Sequence, residues 1–252
     1  MNGATEIQAI LIHGAGTSIG WAVAREFSRR GMVVALHDCE RPRVAAAIAR
    51  ELAGESRILD VSAMPLERGD IESHLAAIAE CCGRLDALVN LYVPDRTAGP
   101  VDLQSYVFNL YHRSVATASI IALHTNNGMI VNQFFLASAF ADTDFADCMA
   151  VARGAIASFT RILSIQHGRL GVRVNGLLVG LLDAPEITAI ASGRVLAASP
   201  PLGRWAEPVD VAKSIAFLVL DSGYITGQML IMDGGLTGCR TTHDLLIKSQ
   251  MD

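Results

Sequence analysis

The chain has 252 residues and a formal net charge of −5; 51% of its residues are hydrophobic and only 18% are charged. This length suits one α/β domain, and the lack of a basic excess argues against a nucleic-acid partner. No apolar run is long enough to span a bilayer, the N-terminus lacks a signal-peptide pattern, and the five cysteines match no zinc-binding spacing, so we expect a cytoplasmic protein without a metal site.

Short apolar runs alternate with longer stretches of helical periodicity along the whole chain. The first half is predicted as strand 7–14, helix 19–31, strand 32–38, helix 41–54, strand 56–62, helix 66–82, strand 85–93 and helix 102–124. The second half is predicted as strand 128–135, helix 145–168, strand 171–179, an irregular segment containing Pro185, Pro200 and Pro201, a helix after Pro208 and strand 227–235.

The predicted strands are continuously apolar rather than alternating, which indicates burial on both faces. Strands that alternate with helices favour parallel pairing through right-handed crossovers. We therefore predict a single Rossmann-like domain over residues 1–252, a doubly wound parallel sheet of about seven strands with helices on both faces. A short tail follows residue 236 and either docks on a neighbouring subunit or frays.

A glycine-rich turn, HGAGTSIG (13–20), lies between the first strand and the first helix. In this place, backbone N–H groups at a helix N-terminus can bind a pyrophosphate. Asp38 ends the second strand, where a carboxylate would bind the ribose hydroxyls of NAD. The alternative is that the glycines only make a tight turn and that Asp38 is a solvated strand end.

Several segments, taken together, resemble motifs of the short-chain dehydrogenase/reductase family from about residue 5 to residue 236. The matching segments are HGAGTSIG (13–20), LDV (59–61), LDALVN (85–90), VFNLY (107–111), GMIVN (128–132), VRVNGLLVG (172–180) and DGG (233–235). The resemblance implies a nicotinamide-dependent oxidoreductase scaffold. It places the cofactor contacts at Gly14, Ser18, Ile19, Gly20, Asp38, Asp60, Val61 and Asn90.

The resemblance fails at the positions that carry the family's chemistry. In the family a tyrosine exchanges a proton with the substrate oxygen, a lysine lowers the pKa of that tyrosine, and a serine binds the substrate carbonyl. The aligned residues here are Phe135 for serine, Met149 for tyrosine and Arg153 for lysine, while Asn109 keeps the family's helix asparagine. Methionine has no titratable proton, phenylalanine has no donor, and a guanidinium stays protonated. The resemblance thus implies that the Ser-Tyr-Lys machinery is lost.

The cofactor contacts depart from the family as well. No Tyr-x-x-x-Lys pair stands elsewhere in the chain, and Ser138 is the hydroxyl nearest to the serine position. His13 replaces a threonine, which we interpret as a histidine bonded to backbone, with a rebuilt ligand site as the alternative. The remaining departures are Ser18 for the middle glycine of the turn, Leu91, Tyr92 and Val93 for Asn-Ala-Gly, Val179 for a proline and Ala184 for a threonine. We expect no cofactor in this chain.

Three functions stay open at this point. The first is a non-catalytic subunit that completes a heterotetramer with an active short-chain dehydrogenase paralogue, which would bind NAD and the small-molecule substrate. The second is an enzyme with altered, non-redox chemistry (a lyase, isomerase or cyclase) in a pocket walled by Phe135, Met149, Tyr92 and Arg153. The third is a ligand-sensing or purely structural protein.

The helices near 102–124 and 145–168 correspond to those that pair between subunits in the family's tetramers. SVATASIIAL (114–123) and AVARGAIASF (150–159) are small and apolar enough for close helix approach. QMLIMDGG (228–235) resembles the family's second dimer surface. The alternative is that these faces are ordinary core.

Overall fold

The computed structural model describes residues 8–54, 56–64, 66, 71–93, 103–136, 144–188 and 200–238, with the backbone alone at 103–106 and 144–148. The first strands and helices are β1 (Ala9–His13), α1 (Ser18–Arg29), β2 (Val33–His37), α2 (Pro42–Leu52), β3 (Ile58–Asp60), α3 (Ile71–Cys82), β4 (Ala87–Asn90) and α4 (Leu103–His124). The others are β5 (Gly128–Phe135), α5 (Asp144–Gly168), β6 (Val172–Val179), α6 (Pro185–Thr188), α7 (Pro208–Ala216) with a π-helical continuation (Phe217–Asp221), and β7 (Met229–Met232).

All seven strands form one parallel sheet in the order β3-β2-β1-β4-β5-β6-β7. Helix α1 packs against α2 and α7, and α4 packs against α3 and α5. The strand order reverses direction beside β1, as expected for two βαβ halves wound in opposite senses. The predicted doubly wound fold is confirmed.

The register aligns the carboxyl ends of the central strands. His13 of β1 lies beside His37 of β2 and beside Asn90 of β4, and Asn90 lies beside Asn132 of β5. Four polar side chains therefore form one row at the carboxyl edge, where ligands bind in open α/β sheets.

The structure differs from the predicted elements in three respects. The strand predicted over 85–93 ends at Asn90: the Leu91 N–H still donates to the His13 carbonyl oxygen at 2.9 Å, but the Tyr92 N–H donates to the Gln133 side chain. The segment predicted as irregular contains α6, which begins at Pro185, a residue suited to a first helical position. β7 is not buried on both faces: it is an edge strand, and Leu230 and Ile231 are exposed.

Candidate functional site

The turn between β1 and α1 is shaped by its glycines. Gly14 has a φ of 78°, and a Cβ there would collide with the carbonyl oxygen of Leu91. A Cβ on Gly20 would collide with the carbonyl oxygen of Ala15. Thr17 caps the helix by accepting the Gly20 N–H on its Oγ1 at 3.0 Å. Neither glycine has room for a side chain, because Gly14 lies against the residue after β4 and Gly20 lies against the turn itself.

The Asp38 carboxylate is bound to backbone on both oxygens. Its Oδ2 accepts the Gly16 N–H at 2.8 Å, and its Oδ1 accepts the N–H groups of Glu40 at 3.0 Å and Arg41 at 2.7 Å. The side chain is buried, so the alternative of a solvated strand end is wrong. A Cβ on Gly16 would lie 2.8 Å from the Arg41 carbonyl oxygen, so the segment after β2 lies directly on the turn.

A second carboxylate reaches the same turn from α6. Glu186 Oε1 accepts the Ser18 N–H at 2.7 Å, and Glu186 Oε2 accepts the Ser18 hydroxyl at 3.0 Å. Ser18 is the first residue of α1, and Ile19 behind it is fully buried. The N–H groups of residues 16 and 18 thus both donate to carboxylates of the chain itself.

His13 and His37 form a hydrogen-bonded pair beside the turn. Their Nδ1 atoms are 2.8 Å apart, and His37 Nε2 lies 2.7 Å from the Met64 carbonyl oxygen. Because a carbonyl only accepts, a neutral His37 donates from Nε2 and accepts at Nδ1, so His13 donates from its Nδ1. Burial first, and then the positive charge of Arg113, hold the pKa of His13 well below its usual value. The prediction that His13 bonds to backbone is therefore wrong, because its hydrogen-bond partner is the imidazole of His37.

The buried polar row continues into β4, β5 and α4. The Asn90 amide donates to Asn132 Oδ1 at 2.8 Å, and its own Oδ1 accepts the Arg113 Nε–H at 2.8 Å. Asn90 and Arg113 are almost fully buried. Asn90, predicted as a cofactor contact, is enclosed in this side-chain network.

The residues after β4 fill the space next to this row. Residues 91–93 are all buried, and the Tyr92 ring stacks on Phe134 with centroids 4.6 Å apart. The Tyr92 N–H donates to Gln133 Oε1 at 3.0 Å, which fixes this segment against β5. The side chains at residues 91–93, which replace the family's Asn-Ala-Gly, are thus packed inside the protein.

Comparisons with known proteins identify the family of the chain. A family profile described as enoyl-(acyl carrier protein) reductase matches residues 14–237. Meso-2,3-butanediol dehydrogenase of Serratia marcescens is 31% identical over 91% of this chain and 94% of its own length. The chain belongs to the short-chain dehydrogenase/reductase family.

Two further relatives are subunits of one Thauera aromatica enzyme, (2S)-[(R)-hydroxy(phenyl)methyl]succinyl-CoA dehydrogenase. Subunit BbsC is 30% identical over 89% of this chain and 92% of its own length, and subunit BbsD is 27% identical over 89% and 94%. Among solved structures, a short-chain dehydrogenase/reductase from Brucella melitensis superposes with a TM-score of 0.74 at 24% identity, covering 94% of this chain and 99% of that one. At that identity the structural likeness supports the fold alone.

The two residues that the sequence resemblance aligns with the family's serine and tyrosine, Phe135 and Met149, are fully buried apolar side chains. Phe135 ends β5, and Met149 lies on α5, which packs against β5. Arg153, one turn further along α5, and Asn109 on α4 are half-buried. Ser138 lies outside the described residues. In this arrangement, neither Phe135 nor Met149 offers a polar hydrogen to a substrate oxygen.

The other predicted short-chain dehydrogenase/reductase contacts lie at the same edge of the sheet. Asp60 ends β3 exposed, and its Oδ1 accepts the Ser62 N–H at 3.0 Å. Val61 follows it and is buried. Val179 and Ala184, at the departures after β6, are both buried.

Sequence reasoning missed Glu186, Arg113 and the pairing partner of His13. Arg113 lies four residues after Asn109, so helical spacing could have placed it on the same face of α4. No local pattern marks Glu186, because its partner Ser18 is 168 residues away.

Within the described residues, no group of three or more His, Cys, Asp or Glu side chains could hold a metal ion. No helix in that part of the chain is long and apolar enough to cross a membrane.

Cys39 and Cys81 are exposed thiols, while burial raises the pKa of the Cys82 thiol to about 11. Such a thiol stays protonated and unreactive at neutral pH.

Proposed function

We propose that this chain is a non-catalytic subunit of a hetero-oligomeric, NAD-dependent short-chain dehydrogenase acting on an alcohol or hydroxyacyl-CoA. The observation that carries the proposal is the full burial of Phe135 and Met149, which the sequence resemblance aligns with the family's serine and tyrosine. Hydride exchange at an alcohol carbon needs a group that moves a proton at the oxygen, and neither side chain has one. The chemistry would belong to an active paralogous subunit.

The turn also fits NAD poorly, so we infer that the cofactor belongs to the partner. A pyrophosphate would need the N–H groups that Asp38 and Glu186 already accept. Both occupants are carboxylates, so an added phosphate would meet like charge at close range. The Asp38 oxygens that would hold a ribose are bonded to Gly16, Glu40 and Arg41.

Exposed apolar side chains support association with another subunit. On α4 and α5, Leu123 is 83% exposed, Val151 67% and Ile165 78%. At the edge strand, Leu230 and Ile231 are exposed as well. Exposed apolar residues on two neighbouring helices and on a sheet edge are the residue type that a protein–protein contact would bury. The expected assembly is a heterotetramer with the active paralogue.

The relatives in Thauera aromatica suggest a more specific role. BbsC and BbsD are subunits of a single dehydrogenase, and this chain resembles both. We therefore extend the proposal to the inactive subunit of a (2S)-[(R)-hydroxy(phenyl)methyl]succinyl-CoA dehydrogenase. In that role the partner subunit binds the acyl-CoA substrate.

Co-expression with the paralogue from an adjacent gene tests the assembly. We expect the two chains to co-elute in size-exclusion chromatography, with NAD-dependent turnover by the complex. The isolated chain should give no saturable signal when NADH is titrated by fluorescence. Turnover with NAD by the isolated chain would overturn the proposal. Turnover without NAD would instead favour the alternative of non-redox chemistry.

A rebuilt triad in the complex tests the loss of chemistry more sharply. The triple variant Phe135→Ser, Met149→Tyr, Arg153→Lys should raise kcat by no more than about twofold, since the nucleotide turn stays occupied by carboxylates. The matched control replaces the tyrosine of the active subunit by phenylalanine and should abolish turnover. A tenfold gain in the triple variant would show that this chain still binds cofactor and substrate productively.

A further inference from the structure

The N-terminus of α1 holds an anion supplied by a distant part of the same chain. Thr17 already caps the helix by accepting the Gly20 N–H, so the local sequence meets the ordinary need for a cap. Glu186 then adds a full negative charge, with one oxygen on the Ser18 N–H and the other on the Ser18 hydroxyl. A helix N-terminus favours such a charge, because its free N–H groups and its dipole both point at it.

The serine side chain supplies one of the two hydrogen bonds of this contact. A glycine at position 18, the family's residue, would leave Glu186 one hydrogen bond in place of two. The Ser18 side chain, which departs from the family's glycine, therefore provides the second donor to the Glu186 carboxylate. A dinucleotide would require neither the Ser18 side chain nor the Glu186 carboxylate at this turn.

The contact fastens an element that has little stability of its own. Helix α6 has four residues, too few to persist as an isolated helix. Within the described residues, its other attachments include the buried side chain of Ile187 and, just before the helix, the bridge between Leu182 and Ala206. The two hydrogen bonds between Glu186 and Ser18, here called the clasp, join α6 to the glycine turn on the opposite side of the site.

We propose that Glu186 is a built-in anion that occupies the phosphate-binding end of α1 and fastens the segment after β6 to the glycine turn. The segment is then held without any bound phosphate, and a phosphate-bearing ligand is excluded from the turn. This inference rests on the proposed absence of a dinucleotide from the chain. It can fail separately, because its test measures backbone protection and pyrophosphate binding rather than NAD binding or turnover.

The test compares the full-length wild-type chain with Glu186→Ala by amide hydrogen exchange and thermal unfolding. Loss of two hydrogen bonds to a charged group should raise exchange in residues 181–188 by about tenfold or more. Millimolar inorganic pyrophosphate should then raise the Tm of Glu186→Ala and restore part of its protection, because the Ser18 donors are free. The wild-type chain should show neither effect.

Two further variants keep the result interpretable. Glu72→Gln makes a charge-removing change at an exposed glutamate in the first turn of α3 and should match the wild type. Ser18→Gly removes the hydroxyl bond alone and should give an exchange rate between wild type and Glu186→Ala, even if the alanine variant folds poorly. Unchanged exchange in both Glu186→Ala and Ser18→Gly would show that the clasp does not hold the segment. Equal stabilisation of wild type and Glu186→Ala by pyrophosphate would show that the carboxylate does not occupy the anion site.

Discussion

Asp38 offers a measurement that separates a structural carboxylate from a cofactor ligand. Its oxygens accept N–H groups from Gly16, Glu40 and Arg41 at 2.8, 3.0 and 2.7 Å, and the side chain is buried. Replacing Asp38 by alanine leaves all three donors without this acceptor. We expect the folded state to lose stability and the affinity for NAD(H) to stay at its low wild-type level.

The magnitude follows from the burial of the three donors. A hydrogen bond to a charged group contributes about 1.5–3 kcal/mol when the donor cannot find water. Glu40 is exposed and Arg41 is half-buried, so water can replace part of what they lose, whereas Gly16 is buried. The free energy of unfolding should therefore fall by about 3 kcal/mol rather than by the full sum. Asp38→Asn keeps one acceptor oxygen and should lose about half as much.

Urea denaturation measures the stability of each variant, and NADH fluorescence measures nucleotide binding. Asp60→Ala is the matched control: that carboxylate is exposed and accepts one backbone N–H, from Ser62. It should lower the free energy of unfolding by less than about 1 kcal/mol. An Asp38→Ala variant that is as stable as wild type but has a lower affinity for NADH would show that Asp38 is a ribose ligand.

Two further predictions concern buried basic side chains. The pKa of His13 is lowered in the folded state by burial and Arg113, so unfolded chains bind its proton more readily below about pH 6.5. The contribution of His13 to the free energy of unfolding should be fully present above that pH and should decrease below it, by at most about 1.4 kcal/mol per pH unit. In urea titrations from pH 8 to pH 5, His13→Gln should remove this part of the pH dependence. Arg173 is buried, and its Nη1 donates to the Ser222 carbonyl oxygen at 3.0 Å, among other carbonyls at the end of the π-helical turn. Arg173→Met should lower the free energy of unfolding by about 3 kcal/mol and speed amide exchange in residues 217–226. An Arg173→Met variant with unchanged stability would contradict this role.

The assignment of chemistry depends on side-chain type more than on geometry. Phe135 and Met149 lack a polar hydrogen wherever the fold places them, so residue identity alone sets their chemical limits. The structure adds that both are fully buried on neighbouring elements. For Asp38 the residue type is compatible with ribose binding, and only its three backbone partners indicate a different role.

The layered fold follows from the residue pattern, because continuous apolar strands alternating with amphipathic helices can be buried only in a parallel sheet covered on both faces. The proposed loss of the proton donors also rests on the sequence, since it depends on residue type at the positions that the family resemblance aligns. The contacts of Glu186 with Ser18 and of His13 with His37 emerge only in the folded chain. Such contacts join elements far apart in the chain, and no local periodicity encodes which polar groups a fold brings within 3 Å of each other.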